Sequence, residues 1–117
     1  MGVLIVDDSS AFRHAARSLL ERRGYDILGE ASGVTDALAR AAELRPAAAL
    51  IDARLPDGSG FDLAAELRRQ LPRLAVLITS SDDEVVAHAL AAACGARGFV
   101  PKSQLAGCEL ERYWRCA

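Results

Sequence analysis

The sequence carries no surplus of positive charge. Its 14 Lys and Arg are outnumbered by 16 Asp and Glu, for a formal charge of −2 and a pI near 5.6. A nucleic-acid surface is normally basic, so direct nucleic-acid binding by this stretch is not expected. No apolar run approaches the roughly 20 residues that a membrane span needs. Met1–Val6 is too short for a signal peptide. Val6 stands where a myristoylation pattern after Gly2 requires Ser or Thr. The three cysteines, Cys94, Cys108 and Cys116, lack the paired spacing of a metal site. They read as reduced thiols of a cytoplasmic protein, with Cys116 the candidate for an exposed one. No repeat, linker or low-complexity segment interrupts the chain.

What is present is a chain of 117 residues, 51% hydrophobic and 26% charged, which is enough for one folded domain around a single core. Its organising stretch is AAALIDARLP, from Ala47 to Pro56. The run is apolar to Ile51, ends in Asp52, and breaks at Leu55-Pro56-Asp57-Gly58. A short apolar run bounded by turn residues fits a strand buried on both faces. Asp52 then sits where that strand leaves the core.

Similar strands are expected at Val3–Val6, ending in Asp7-Asp8; at Ile27–Ala31; at Leu74–Thr79, ending in Ser80-Ser81-Asp82-Asp83; and at Gly98–Val100, followed by Pro101-Lys102-Ser103. Apolar residues at helical spacing lie between them. Phe12, Ala15, Ala16, Leu19 and Leu20 form one stripe, with Ser9, Ser10 or Asp8 to cap it and Gly24 to stop it. Val34, Ala37, Leu38, Ala41 and Ala42 form a second, ended before Pro46, and Phe61, Ala64, Leu67 and Leu71 a third, closed by Pro72. Val85, Val86, Ala89, Leu90 and Ala93 form a fourth, and a last helix is expected over Leu105 to Arg115. Five strand–helix units with short connections imply an α/β fold, a parallel sheet covered by helices on both faces.

The ends of such strands form the ligand-binding edge of an open sheet. Here they bring Asp7, Asp8, Asp52, Ser80 with Thr79 beside it, and Lys102. Three carboxylates make a hard-oxygen site suited to Mg2+, which keeps waters for a phosphate. Crowded like charges also call for a cation. Lys102 adds a positive charge and Ser80 a hydroxyl donor, the parts that hold a phosphoryl group during transfer to a carboxylate nucleophile. Taken singly, Asp7-Asp8 is a helix cap, Lys102 a surface lysine and Ser80 a turn former. All at one edge, they point to chemistry.

This constellation resembles the receiver domain of two-component response regulators. The likeness covers essentially the whole chain. It rests on VLIVDD, LIDARLPDGSGFDL, ITSSDD and GARGFVPKS, and on the intervals of 44 residues from Asp8 to Asp52, 28 to Ser80 and 22 to Lys102. The middle interval is most like the LuxR/NarL-type subgroup. The resemblance implies a five-stranded doubly wound parallel sheet of flavodoxin-like type, order 2-1-3-4-5. It implies a phosphorylation-activated switch that is no ordinary enzyme, since it only phosphorylates and dephosphorylates itself. Asp52 matches the phosphoacceptor, Asp8 the direct metal ligand and Asp7 its acidic neighbour. Arg54 matches the residue that gives a backbone carbonyl to the metal. Ser80 matches the switch hydroxyl, Lys102 the lysine and Phe99 the switch aromatic. Pro56 and Gly60 match the loop after the acceptor. Which of Ser80 and Thr79 serves stays open, because strand alternation turns only one of them toward the site.

The resemblance also implies a sensor histidine kinase or phosphotransfer protein as donor. On phosphorylation the face made by the fourth helix, fifth strand and last helix would change, with Phe99 turning inward, and a homodimer or output would use that face. Two rivals rank below. A magnesium-dependent aspartyl-phosphate phosphatase of the haloacid dehalogenase kind wants a second acid two residues after Asp52, where Arg54 stands. A degenerate receiver would lack some of these residue types. His14 and His88 read as helix-surface residues. Tyr113 and Trp114 read equally as core cover or partner surface. The fifteen residues after Lys102 are too few for a helix-turn-helix domain, so the sequence leaves open whether this receiver stands alone.

Overall fold

Two apolar faces on each central strand dictate the architecture. The computed structural model describes residues 1–81 and 85–114, Val85 by its backbone alone. Five parallel strands run β1 (Gly2–Val6), β2 (Asp26–Ala31), β3 (Ala48–Asp52), β4 (Ala75–Ser80) and β5 (Gly98–Pro101). They are ordered β2-β1-β3-β4-β5. Helices α1 (Ser10–Arg22), α2 (Val34–Leu44), α3 (Gly60–Gln70) and α4 (Val85–Ala93) alternate with them. A 3-10 helix (Lys102–Gly107) and the one-turn α5 (Glu111–Trp114) follow. Alternation sends Val3, Ile5, Leu50 and Leu77 to a layer with α1, the 3-10 helix and α5. Leu4, Val6, Ile51 and Ile78 go to a layer with α2, α3 and α4. Burying each such side chain contributes about 1.5–3 kcal/mol. Among the described residues no helix is long and apolar enough to cross a membrane.

The starts of α1 and α3 follow local chemistry, and that of α2 does not. Ser9 caps α1 by accepting from the Phe12 N–H, and Ser59 caps α3 by accepting from Phe61 and Asp62. Gly33 precedes α2 and has no side chain to cap it. The cap comes from elsewhere. After β3 the chain folds into a small hairpin, Arg54–Leu55 against Gly58–Ser59. Asp57 at its turn accepts from the N–H groups of Val34 at 2.7 Å and Thr35 at 3.1 Å. These bonds hold the Asp57 carboxyl below its ordinary range. Gly60 must be glycine, because a Cβ there would stand 1.9 Å from the Asp52 carbonyl oxygen. That approach sets the start of α3 against the end of β3.

Two expectations are corrected. The expected stripe of α4 does not face the core. Ala87 and Ala91 are buried, while Val86 and Leu90 are 63% and 44% exposed. Methyl side chains let α4 lie close over Phe99, and the larger side chains turn outward. The continuous last helix is also absent. The 3-10 helix ends at Gly107, Cys108 is extended, and only Glu111–Trp114 is α-helical. Glycine disfavours helix, and Arg23 from the end of α1 takes the carbonyls of Ala106 and Cys108 with its guanidinium. A continuous helix would need those carbonyls for itself. The expectations placed on Asp82, Asp83, Arg115 and Cys116 lie outside the described residues.

Trp114 belongs to the core. It is 2% exposed and meets Tyr25 edge to face, with centroids 5.1 Å apart. Trp114→Ala should therefore cost about 3–5 kcal/mol in urea unfolding, the range for emptying an aromatic core site. Val86→Ala should stay within about 0.5 kcal/mol of wild type, as exposed positions do.

Candidate functional site

Strand ends β1, β3, β4 and β5 deliver the expected residues to one edge. Parallel pairing sets Asp52 opposite Thr79, and Ser80 opposite Pro101, the residue before Lys102. One carboxylate oxygen each from Asp7, Asp8 and Asp52 lies within 4.8 Å of the others. Lys102 reaches into this group, with Nζ 2.7 Å from Asp7 Oδ2 and 3.4 Å from Asp52 Oδ2.

Asp7 is fully buried and fastened at every polar atom. Its N–H donates to the Ala31 carbonyl, and its own carbonyl accepts from Arg13. Oδ1 accepts from the Ser9 N–H at 2.8 Å, and Oδ2 pairs with Lys102. Arg13 is itself held by Glu30 of β2 at 3.0 Å, and Arg17 grips the other Glu30 oxygen at 2.8 Å. Asp8, by contrast, is exposed. Asp52 is 7% exposed and accepts the Arg54 N–H on Oδ1. Its carboxyl is raised above the ordinary value by burial first and by the Asp7 charge second, against the pull of Lys102. Burial would lower Lys102, but the Asp7 bond and the two negative charges outweigh it, and its ammonium is held above the usual value.

Three carboxylates against one ammonium leave two negative charges, which fits a divalent cation of oxygen-seeking type. The donor set is all oxygen, and Asp8 is open to solvent.

The two hydroxyls part company by face. Thr79 shares the parity of Leu77, toward the α1 layer, and is fully buried with no hydrogen-bond partner for its hydroxyl among the described residues. Ser80 shares the parity of Ile78 on the α4 side. Phe99 lies on that same side, 4% exposed, with the His88 ring edge-on at 4.9 Å. In this structure small Ala87 and Ala91 leave room for the Phe99 ring, and it lies inside. His14 and His88 are both exposed, as expected.

Sequence reasoning passed over three supporting residues. Arg13 stands one turn into α1, where a long cation can reach back to the strand end that α1 follows. Asp57 was read only as part of a turn, although Gly33 left α2 in need of a cap. Phe12 was counted in the core stripe, yet its ring faces the Lys102 ammonium.

Comparison with known proteins gives the class. Residues 3–109 match the profile of the response regulator receiver domain, and the chain belongs to that family, the signalling domain of two-component regulators. It is similar to the DNA-binding transcriptional activator DevR/DosR of Mycobacterium tuberculosis, 40% identical over 94% of this chain. It spans 51% of the length of that relative. The structure of a LuxR-family response regulator from Aurantimonas sp. SI85-9A1 superposes with a TM-score of 0.85 at 28% identity, over 91% of this chain and 76% of that one. The receiver domain of a NarL-type regulator from M. tuberculosis gives 0.78 at 32%, over 86% and 82%. These likenesses bear out the LuxR/NarL-type subgroup and the sheet order.

The raised carboxyl of Asp52 carries a signed consequence. A carboxyl with a folded-state pKa above its unfolded value favours the fold at low pH. That contribution is lost as pH rises from the unfolded value through the folded one. Asp52→Asn removes the loss. Without magnesium, the variant should be more stable than wild type in urea at pH 7, and the gap should shrink as pH falls into the carboxylate range.

Proposed function

We propose that the chain is a phosphorylation-controlled switch in which Asp52 accepts a phosphoryl group from a histidine kinase or phosphotransfer protein, with Mg2+ as cofactor. The observation that carries this is the unneutralised charge around Asp52, with the Lys102 ammonium already turned to it. An Asp52 carboxylate oxygen forms the new bond to phosphorus. The donor's bond to phosphorus breaks, and the donor leaves with that electron pair, so no oxidant or reductant is needed. Asp8 and Asp52 would hold the metal with the Arg54 carbonyl, while Asp7 stays anchored beside them. Bound magnesium would offset charge on the phosphoryl oxygens. Lys102 would take up the rest, sliding from Asp7 toward the new group. Later attack by water on phosphorus would break its bond to the Asp52 oxygen, release inorganic phosphate and restore the carboxylate.

Output follows from the sheet face that Ser80 shares. A phosphoryl group adds about −1.5 to −2 charge and strong acceptor oxygens. A Ser80 hydroxyl drawn toward them is felt by the packed Phe99–His88 pair and hence by α4, while Thr79 faces the other layer. Val86 and Leu90 leave an apolar outer face on α4, suited to an output or a second copy of the chain. A gap of a few kcal/mol is enough to reverse such an equilibrium.

The test uses acetyl phosphate with and without magnesium, read by intact mass. Wild type should gain one phosphoryl group only with the metal, and Asp52→Asn should gain none. Equal labelling of the Asn variant would overturn the assignment, and labelling independent of metal would overturn the cofactor.

A further inference from the structure

The Lys102 ammonium has a neighbour that charge pairing does not explain. The ring of Phe12, on the first turn of α1, lies beneath it with its centroid 4.3 Å from Nζ. That is within the range of a cation–π contact. Phe12 is only half-buried. With Ala15, Leu19 and Leu105 it walls a cavity of about 320 Å³ that the Lys102 stem also borders. A leucine would satisfy the apolar side of this position equally well, as Leu19 does two turns along on the same face. What the ring adds is its negative face, turned to the cation.

We infer that Phe12 is a positioning residue for Lys102. The inference rests on the reading of Asp52 as phosphoacceptor. A lysine stem turns about four carbon bonds, so its ammonium needs restraint to stay among the acids. Asp7 supplies a short, directional restraint at 2.7 Å, whereas Asp52 stands farther off at 3.4 Å. Phosphoryl transfer asks the ammonium to leave the first position for the second. A carboxylate contact is lost in that slide. A ring face attracts a cation over a broad area, so Phe12 keeps hold of the ammonium as the Asp7 contact is given up, where its support counts for most, and shields one side of it from water.

Lys102 is the only lysine in the chain, which gives a direct probe. Selective 13C-lysine labelling yields one ε-methylene signal that needs no assignment. In wild type the Phe12 ring current should move this signal upfield of free lysine. Phe12→Tyr should keep the displacement, and Phe12→Leu should lose it. The maximal rate of phosphorylation by acetyl phosphate at saturating magnesium should fall about three- to tenfold in Phe12→Leu, the size of one such contact. The donor concentration at half-maximal rate should stay unchanged, and Phe12→Tyr should recover the rate. An identical lysine signal in wild type and Phe12→Leu would overturn the contact. A lost displacement with an unchanged rate would overturn the positioning role. A wild-type chain that takes up no phosphate would overturn the reading of Asp52 and the role with it, even where the displacement confirms the contact itself.

Discussion

Three carboxylates gathered around one ammonium are the constraint on which the rest of this structure depends. Like charges at such distances repel, and burial deepens the penalty because the charged forms lose water. The fold does not relieve this by moving the acids apart. It pins Asp7 by four separate contacts, one of them to an arginine that β2 holds in place through Glu30. Removing one member of a buried pair leaves an uncompensated charge, which is far costlier than an absent pair. The Lys102 ammonium is therefore the member this edge can least lose, whereas neutralising Asp52 relieves part of the repulsion. What the edge lacks electrically is two positive charges, and that deficit is the physical reason to expect a divalent cation and a phosphoryl group to be handled together.

The sheet also sorts roles by face. Successive residues on a strand point to opposite layers, so Thr79 and Ser80 cannot serve the same structure. Thr79 lies with Leu77 and Val100 against the α1 layer, where Phe12 and the 3-10 helix flank Lys102. Ser80 lies with Ile78 and Phe99 against α4. The layer around α1 holds the parts that steady the chemistry, and the layer around α4 holds the parts that can report it. Alanines at positions 87 and 91 make the second layer thin, which puts Val86 and Leu90 outside.

Most of the scaffold was legible because it is written in short-range patterns. Apolar runs ending in Asp7-Asp8 and Asp52 identified buried strands, and glycines and prolines marked where helices stop. The ends of the expected strands placed the site residues at one edge, and the intervals from Asp8 to Lys102 carried the family resemblance. What could not be read has partners far along the chain. Asp57 caps a helix that begins 23 residues earlier. Arg23 breaks the last helix from 83 and 85 residues away by taking its carbonyls. The face of α4 was misjudged because valine and leucine outrank alanine in any apolar stripe, although alanine packs closest. Phe12 was legible as apolar, but not as a ring beneath a cation.

The central claim is that Asp52, and no other acid of the cluster, takes the phosphoryl group. An aspartyl phosphate is an acyl phosphate, and borohydride reduces it to homoserine, which fixes the acceptor in a peptide map. After reaction with acetyl phosphate and magnesium, reduction should convert position 52 and leave positions 7 and 8 as aspartate. Homoserine at position 7 or 8, with position 52 unchanged, would contradict the account.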